Sequence, residues 1–403
     1  MFEEVEVRKR RGLYRSMREL GGFGKTATVD GEDDRTLVLS SNSYLGLGSH
    51  RRLKEAACRA SDKYGTGAGA SRLLSGNLEP HRRLEDEIAE YKRTQDALVF
   101  SSGYAANVGT ITAVTDVRKS LISEPGDQGS ADERDVIFSD ELNHASIIDG
   151  CRLSDAKTVV YDHCDPDDLR EKWKKHDGRR KLIVTDSVFS MDGDIAPLKE
   201  ISEIARDDGG FVMVDEAHAT GVVGEEGSGV VRREGLVDDI DIQMGTMSKA
   251  LGSQGGFVAG SSELIDLLVN EARSFVFSTG LSPIDAEVSR EAVNLVRSGE
   301  GENLREDLWS NVEFLRESLS DLGYEILSRE SQIIPVLVGD AEDAVSLGDK
   351  LEERGIFAPA VRPPTVPEGT SRIRVSAMAT HTDDEIRKVV DAFEEAGKEV
   401  GVI

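Results

Sequence analysis

The chain has 403 residues, of which 38% are hydrophobic and 31% charged, a composition typical of folded globular proteins and not of disordered or fibrous ones. Lys and Arg number 49 and Asp and Glu number 76, which gives a formal net charge of −27. Such a chain lacks the positive field that gathers phosphate backbones, so we expect neither nucleic acid nor anionic membranes as partners. The acids are spread along the sequence and predict a solvated surface, with a salt-rich cytoplasm as the alternative explanation.

The cysteines argue for a reducing compartment. Cys58, Cys151 and Cys164 are an odd number without a Cys-x-x-Cys spacing, which predicts neither a disulfide framework nor a metal site. No apolar run approaches the roughly 18 residues of a membrane span, and the N-terminus lacks the basic-then-apolar pattern of a signal peptide. We therefore expect a cytoplasmic protein.

The first two thirds of the sequence predict alternating strands and helices. Spaced apolar residues over 1–20 predict a lead-in helix ended by Gly21 and Gly22. A mostly parallel sheet with helices on both faces satisfies the alternation that follows, so we predict an α/β fold. The predicted strands are 97–100, 136–138, 181–185, 211–214 and 240–244, and the predicted helices include 82–93 and 198–207.

The last third mixes long helices with two strands and predicts a smaller α/β domain. The predicted helices are 303–322, 341–354 and 382–398, and the strands lie near 333–338 and 371–376. We divide the chain into an N-terminal helix and arm (1–49), a large domain (50–285) and a small C-terminal domain (286–403). The polar, acidic stretch 123–133 predicts a surface loop.

Two glycine-bearing stretches resemble nucleotide-binding motifs but lack the required context. The stretch 65–69 follows a helix-like segment, and its third Gly is one position early for the dinucleotide fingerprint. The stretch 24–26 lacks the first Gly of a phosphate loop, because position 19 is Glu and its carboxylate would repel phosphates. A nicotinamide or flavin site is thus disfavoured, and a phosphate-loop ATPase stays a remote alternative.

Polar side chains follow three of the predicted strands, where the carboxyl ends of parallel strands line a ligand crevice. They are Ser187 and Ser190 after 181–185, Asp215 and His218 after 211–214, and Thr246, Ser248 and Lys249 after 240–244. This set suits pyridoxal phosphate, because Lys249 can form a Schiff base and Asp215 can keep the pyridine nitrogen protonated. The hydroxyls, with backbone N–H groups, can hold the phosphate.

Six sequence blocks, in the same order, resemble the pyridoxal-phosphate α-oxoamine synthases, a family with the aspartate-aminotransferase fold. The blocks are 41–47, 102–107, 143–146, 188–193, 214–218 and 245–252. The resemblance runs from about residue 8 to residue 391. It implies fold type I and an enzyme that condenses an amino acid with an acyl thioester and releases carbon dioxide.

The resemblance also implies roles for individual residues. Lys249 would hold the cofactor and remove the Cα proton of the amino acid, with Asp215 at the ring nitrogen. His144 would stack on the ring and orient the acyl substrate, and His218 and Ser190 would bond the phenolate oxygen. The remaining expected cofactor contacts are Gly103, Tyr104, Thr246 and Ser248, together with Ser278 and Thr279 reaching in from the neighbouring subunit of a homodimer.

Blocks 69–77 and 361–367 resemble the members that join L-alanine to a pimeloyl thioester in biotin synthesis. Arg374 resembles the arginine that clamps the amino-acid carboxylate, for which a bidentate fork is well suited, and Asn42 is a second expected substrate contact. The far carboxylate of the acyl chain needs a partner because burying it unpaired is costly. Arg15 and Thr365, by resemblance, and Arg362, by its charge, are the expected contacts.

Several points stay open at this stage. A glycine C-acetyltransferase would use glycine and acetyl-CoA, and a single methyl group gives only about 1–3 kcal/mol of discrimination against it. A catalytically silent scaffold would bind the cofactor without reaction. The acyl carrier is either coenzyme A or acyl carrier protein. Ser248, where many members of the family have Gly, and the acidic stretch 123–133 are departures from the family pattern.

Overall fold

The computed structural model describes residues 2–10, 14, 16–32, 34–115 and 134–403. Arg15 and the expected loop at 123–133 lie outside the described residues. The chain forms two compact units. The larger unit contains Ser43–Ser190 and Asp194–Glu306, and the smaller contains Met1–Asn42, Met191–Gly193 and Asp307–Ile403. The domain boundaries predicted at residues 49 and 285 stay predictions.

The described residues form fifteen strands and fourteen α-helices. The strands are β1 (Leu20–Gly21), β2 (Thr26–Val29), β3 (Thr36–Val38), β4 (Asp96–Phe100), β5 (Val136–Asp140), β6 (Lys157–Tyr161), β7 (Lys181–Asp186), β8 (Phe211–Asp215), β9 (Ile242–Thr246), β10 (Gly256–Gly260), β11 (Glu325–Ile326), β12 (Ile333–Gly339), β13 (Ile356–Phe357), β14 (Ala360–Val361) and β15 (Ser371–Ser376). The α-helices are α1 (Phe2–Arg10), α2 (Arg51–Tyr64), α3 (Glu79–Lys92), α4 (Gly103–Thr115), α5 (Ala145–Leu153), α6 (Pro166–Lys175), α7 (Leu198–Asp207), α8 (Val230–Arg233), α9 (Ser262–Glu271), α10 (Arg273–Val276), α11 (Pro283–Val296), α12 (Gly299–Asp321), α13 (Ala341–Glu353) and α14 (Asp383–Val400). None of these helices combines the length and apolar character needed to cross a membrane.

The larger unit is built on a seven-stranded sheet in the order β4-β10-β9-β8-β7-β5-β6. Strands β5 to β9 pair in parallel, whereas β10 runs antiparallel to both of its neighbours. Helices α4, α5 and α9 pack apolar side chains against these strands in one buried cluster. Every residue of β5 and of β9 is buried, as expected for strands covered by helices on both faces. The predicted α/β fold with a mostly parallel sheet is confirmed.

Two strands of this sheet were not predicted. Strand β10 has only three residues between two glycines, and a Cβ at Gly256 would lie 2.6 Å from the Cα of Gly103. The glycine is therefore needed for the start of α4 to approach the sheet, which weakens the apolar signal. Strand β6 lies at the edge of the sheet with three of its five residues exposed, and its short run Val159-Val160-Tyr161 was not assigned as a strand.

The predicted lead-in helix over residues 1–20 is wrong in its extent. Helix α1 is described over Phe2–Arg10, and residues 16–19 are not helical. Leu20 and Gly21 form strand β1, which pairs with Val29 and Thr28 of β2. The backbone N–H and C=O groups of Leu20 and Gly21 are satisfied by pairing between β1 and β2.

The smaller unit holds two small sheets, in the orders β1-β2-β3-β13 and β11-β12-β15-β14. The helices predicted at 341–354 and 382–398 are confirmed as α13 and α14, with ends shifted by one or two residues. The helix predicted at 303–322 is confirmed as α12, which begins four residues earlier, at Gly299. Asp340 caps α13 by accepting the N–H groups of Glu342 and Asp343, and Thr382 and Glu385 form a capping box at the start of α14. Both caps place a side-chain acceptor at the point where helical N–H groups lack partners.

His163 joins the ends of two strands to the segment after β7. Its Nδ1 lies 2.9 Å from Asp140 and its Nε2 lies 2.7 Å from Asp194. Burial lowers the pKa of His163, but the hydrogen bonds to both carboxylates outweigh it and raise the pKa to about 12. Ligand atoms of Asp140, His163 and Cys164 lie within 4.8 Å of one another, but both ring nitrogens are already engaged, so the group is an imidazolium clamp.

We predict that His163→Gln destabilises the larger unit, and by more at pH 6.5 than at about pH 10. The folded-state pKa lies above the usual value of 6.5, so the stabilisation is complete below that value and is lost as the pH rises toward 12. Urea unfolding of wild type and variant across this pH range measures the difference. A difference that stays constant with pH would contradict a charged clamp.

Candidate active site

The amine of Lys249 lies at the carboxyl edge of the seven-stranded sheet, just after strand β9. Its Nζ is 2.8 Å from Nε2 of His218, and Nδ1 of His218 is 2.8 Å from the hydroxyl of Tyr44. A protonated lysine only donates, so the neutral His218 ring accepts at Nε2 and donates from Nδ1 to the Tyr44 oxygen. Tyr44 is fully buried, and this hydrogen-bonded chain fixes the direction of the Lys249 amine.

Asp215 ends strand β8 and its carboxylate is held by two donors. Oδ2 accepts from Nδ2 of Asn107 at 2.7 Å, and Oδ1 accepts from the backbone N–H of Ala217 at 2.8 Å. The Asn107 amide also donates to Ser146 at 2.8 Å. Asp215 is buried, and these two bonds hold its carboxyl group in one orientation inside the protein.

His144 precedes α5 and is linked to the same network. Its Nδ1 lies 2.7 Å from the Ser146 hydroxyl and accepts the backbone N–H of Ser146, so the neutral ring carries its proton on Nε2. Although the residue keeps solvent exposure, desolvation of the ring lowers the pKa of His144, and Lys249 lowers it further against the opposing effect of Asp215. The site therefore holds a neutral imidazole with an N–H donor.

A second acid, Asp186, lies at this edge of the sheet, at the end of strand β7. Its Oδ2 accepts the backbone N–H of His144 at 2.7 Å. Burial and the nearby charge of Asp215 raise the pKa of Asp186 well above its usual range. Asp186 thus fixes the backbone of His144, while Asp215 is the acid placed beside the Asn107 donor.

The start of α4 and the end of strand β9 form a cradle for an anion. A Cβ on Gly103 would lie 3.0 Å from the Met244 side chain and 3.6 Å from that of Thr246, so a glycine lets the helix start close to these groups. The Thr246 hydroxyl is 2.8 Å from that of Ser248, and the N-terminus of α4 adds backbone donors and a partial positive charge. Hydroxyls, helix N–H groups, a fixed carboxylate and an amine together fit pyridoxal phosphate.

Two other predicted cofactor contacts lie in the larger unit. Ser190 is half-buried in a segment closed by a bridge between Val188 and Ile195. The Tyr104 hydroxyl donates to Asp149 at 2.7 Å, and its side chain is half exposed. Ser190 follows strand β7, and Tyr104 lies in the first turn of α4.

Ser278 and Thr279 follow α10 in a segment of their own. Thr279 forms an antiparallel bridge with Ser71, and the hydrogen bonds of the segment run to residues 66–81. Ser278 is half-buried and Thr279 is exposed. The positions of the two hydroxyls therefore depend on contacts with the loop that contains residues 69–77, one of the two blocks that resemble the alanine-using members.

Predicted substrate contacts are found in the smaller unit. Arg374 in β15 donates to Asn42 at 3.0 Å and to Ser376 at 3.2 Å, so the structure brings Arg374 and Asn42 together. Arg362 donates to the backbone oxygen of Tyr14 at 3.3 Å, and the backbone N–H of the exposed Thr365 donates to Arg362. Arg15 lies outside the described residues.

Sequence reasoning assigned no role to Tyr44, Asn107, Ser146 or Asp186. The first three lie inside or beside the resembling blocks, and Asp186 stands at a strand end, which is a signal that could have identified it. Glu216 follows Asp215 but has a structural role, because its carboxylate pairs with Lys92 at 2.6 Å and both side chains are fully buried. Removing one partner of such a pair costs about 3–5 kcal/mol.

Residues 34–393 match the family model described as aminotransferase class I and II. The chain is 48% identical over 403 residues to the 8-amino-7-oxononanoate synthase of Geobacter metallireducens, covering 100% of this chain and 98% of that one. It is 46% identical to the enzyme of the same name from Lysinibacillus sphaericus, covering 99% and 98%.

Solved structures give the same result. The serine palmitoyltransferase of S. paucimobilis, determined with a bound PLP–myriocin adduct, aligns with a TM-score of 0.90 and 30% identity over 100% of this chain and 98% of that one. The 8-amino-7-oxononanoate synthase of Francisella tularensis aligns with a TM-score of 0.74 and 27% identity over 90% and 98%. The chain therefore belongs to the aminotransferase class I and II family.

Proposed function

We propose that this chain is a pyridoxal-phosphate-dependent acyltransferase that condenses L-alanine with a pimeloyl thioester. The products are 8-amino-7-oxononanoate, carbon dioxide and the free thiol, and the reaction serves biotin biosynthesis. The observation that carries the proposal is the Lys249 amine, 2.8 Å from His218, at the same sheet edge as the fixed carboxylate of Asp215. Full-length identity of 44–48% to relatives of that name supports the substrate assignment.

The residues of the larger unit divide the work on the amino acid. When bound, pyridoxal phosphate links covalently to Lys249 and draws electrons from the Cα of the amino acid. The Lys249 amine removes the Cα proton and later returns a proton to carbon. Asp215 would accept a hydrogen bond from the protonated ring nitrogen, because its carboxyl group is held in one orientation and each oxygen keeps acceptor capacity beyond Asn107 and Ala217. With the cofactor on Lys249, Nε2 of His218 would no longer face an ammonium donor. Nδ1 would then accept from the Tyr44 hydroxyl, and the Nε2–H would donate to the phenolate oxygen beside Ser190.

His144 acts on the acyl substrate as a neutral donor. Because its pKa is lowered, the ring is uncharged near pH 7 and presents the N–H of Nε2. A hydrogen bond from this group to the thioester oxygen strengthens as negative charge develops there during attack. Ser146 and the Asp186 carboxylate hold the ring and the backbone of His144, so the donor needs little reorganisation. Gly103, Tyr104, Thr246 and Ser248 hold the cofactor phosphate and ring.

Charged side chains of the smaller unit recognise the substrate carboxylates. Arg374 binds the carboxylate of L-alanine, with its guanidinium oriented by Asn42 and Ser376. Arg15, Arg362 and Thr365 bind the far carboxylate of the pimeloyl chain. A desolvated carboxylate needs such partners, whereas an acetyl group does not.

We further propose a cytoplasmic homodimer in which Ser278 and Thr279 serve the cofactor phosphate of the neighbouring subunit. Leu73, Leu74 and Phe277, at 52%, 81% and 72% exposure, lie in the two segments that the Ser71–Thr279 bridge joins. Exposed apolar side chains grouped in this way mark an interaction surface. A second copy of the chain covers them in an isologous interface.

We predict that Lys249→Ala lowers product formation by more than about 10³-fold, since the variant lacks both the covalent anchor and the base. The exposed Lys174→Ala on α6 is the matched control and keeps wild-type turnover. Product analysis pairs alanine and glycine with pimeloyl-CoA and with acetyl-CoA. Normal turnover by Lys249→Ala would refute the site, and a preference for glycine with acetyl-CoA would favour a glycine C-acetyltransferase.

We predict that Arg374→Lys raises the KM for L-alanine by about tenfold or more and leaves the KM for the pimeloyl thioester unchanged. A lysine keeps the charge but loses the planar fork that matches a carboxylate. The exposed Arg59→Lys on α2 is the control. Equal effects on both substrates in steady-state kinetics would argue against a specific carboxylate clamp.

We predict that Leu74→Glu weakens the dimer and the activity together, because it buries an unpaired charge in the interface. Leu153→Glu, at another strongly exposed leucine, controls for the added charge and leaves the dimer intact. Sedimentation velocity gives the oligomeric state over a dilution series. A fully active Leu74→Glu dimer would place the interface elsewhere.

A further inference from the structure

The segment that carries Ser278 and Thr279 is held by a dense set of backbone contacts. Thr279 bridges to Ser71, and the backbone N–H of Gly280 donates to Ala70 at 2.9 Å. Nε2 of the buried His81 is 2.7 Å from the backbone oxygen of Leu281. The loop 66–77 and the start of α3 therefore determine where the two hydroxyls lie.

Gly280 shows how closely the two segments pack. A Cβ at this position would lie 3.0 Å from the backbone oxygen of Gly76 and 3.2 Å from the Cδ of Arg72. The aliphatic part of Arg72 therefore forms part of the surface on which the segment rests. A shift of the Arg72 side chain would be transmitted directly to the backbone next to Thr279.

The Arg72 guanidinium is itself held by buried hydrogen bonds. Its Nη2 donates to both oxygens of Glu85 at 3.0 and 3.1 Å, and its Nε donates to Asn77 at 2.9 Å. The side chains of Arg72 and Glu85 are only 7% and 3% exposed. The guanidinium carbon lies 5.6 Å from the ring centre of Phe275, three residues before Ser278. Glu85 also accepts the backbone N–H of Val99, which ties the arrangement to strand β4.

We infer that Arg72 is a positioning residue that holds the Ser278–Thr279 segment in place for the cofactor phosphate of the neighbouring subunit. The inference rests on the proposed homodimer and on the proposed role of the two hydroxyls. A planar guanidinium suits the task because it engages Glu85, Asn77 and the Phe275 ring at once. Arg72 acts through this segment and touches neither substrate nor cofactor.

A double variant separates positioning from stability. Arg72→Met alone leaves the Glu85 carboxylate buried and unpaired, so it can unfold the protein. Arg72→Met with Glu85→Gln removes both charges and keeps an acceptor for Val99, which makes the thermal unfolding temperature close to that of wild type. We expect its dissociation constant for pyridoxal phosphate to rise about tenfold or more, as for lost hydrogen bonds to a charged group. Unchanged cofactor affinity in the folded double variant would overturn the inference.

A mixed dimer tests whether Arg72 acts across the interface. Subunits with Lys249→Ala and subunits with Arg72→Met and Glu85→Gln carry different affinity tags and are purified as the heterodimer. One site then has both defects, whereas the other combines an intact Lys249 with an intact Ser278–Thr279 segment. We expect about half of the wild-type activity, with wild-type cofactor affinity at the active site. An active site that keeps the weakened affinity of the double variant would overturn action across the interface.

A control pair distinguishes failure of the inference from failure of the proposed function. Here the partner of Lys249→Ala carries Ser278→Ala and Thr279→Ala, and we expect the same restored affinity. Loss of restoration in this pair would overturn the proposed role of the two hydroxyls and the inference with it. Loss confined to the Arg72 pair would overturn the inference alone, and the homodimers of each variant supply the reference values.

Discussion

The hydrogen-bonded chain from Tyr44 through His218 to the Lys249 amine is the interaction on which the proposed chemistry depends. A lysine side chain has four rotatable bonds, and without a fixed partner its amine would sample many directions. The two contacts of 2.8 Å and the complete burial of Tyr44 restrict it to one. The parallel sheet makes this possible, since its strands end at the edge where Asp215 and His144 also stand.

Buried charges in this protein hold backbone segments in place more than they contribute net stability. Lys92 and Glu216 are fully buried beside Asp215, and Arg72 and Glu85 are nearly so beside the Ser278 segment. Such pairs gain little over apolar side chains of the same shape, but their directional bonds fix specific backbone positions. Basic residues are fewer than acidic ones in this chain, 49 against 76. Two of them, Lys92 and Arg72, form interior pairs beside the segments proposed to bind the cofactor.

The sequence predicted the parts of the site that depend on local order along the chain. Asp215 ends strand β8, and His218 and Lys249 each lie three residues after a strand end, so their proximity follows from the fold class. Tyr44 and Asn107 had no predicted role because their partners lie 174 and 108 residues away in sequence, and only tertiary packing joins them. Strand β10 was not predicted because glycines flank its three apolar residues. The predicted helix over 1–20 was too long because the spacing of Met17 and Leu20 imitates a helix, whereas Leu20 pairs in strand β1.

The central claim is that the Lys249 nitrogen is the group that binds the cofactor covalently. Borohydride reduces the carbon–nitrogen double bond between an aldehyde cofactor and a lysine, which makes the link permanent. The holoenzyme is therefore reduced, digested and mapped by mass spectrometry. The account predicts one pyridoxyl-labelled peptide, the one that contains Lys249, and a label at any other lysine, or none, would contradict it.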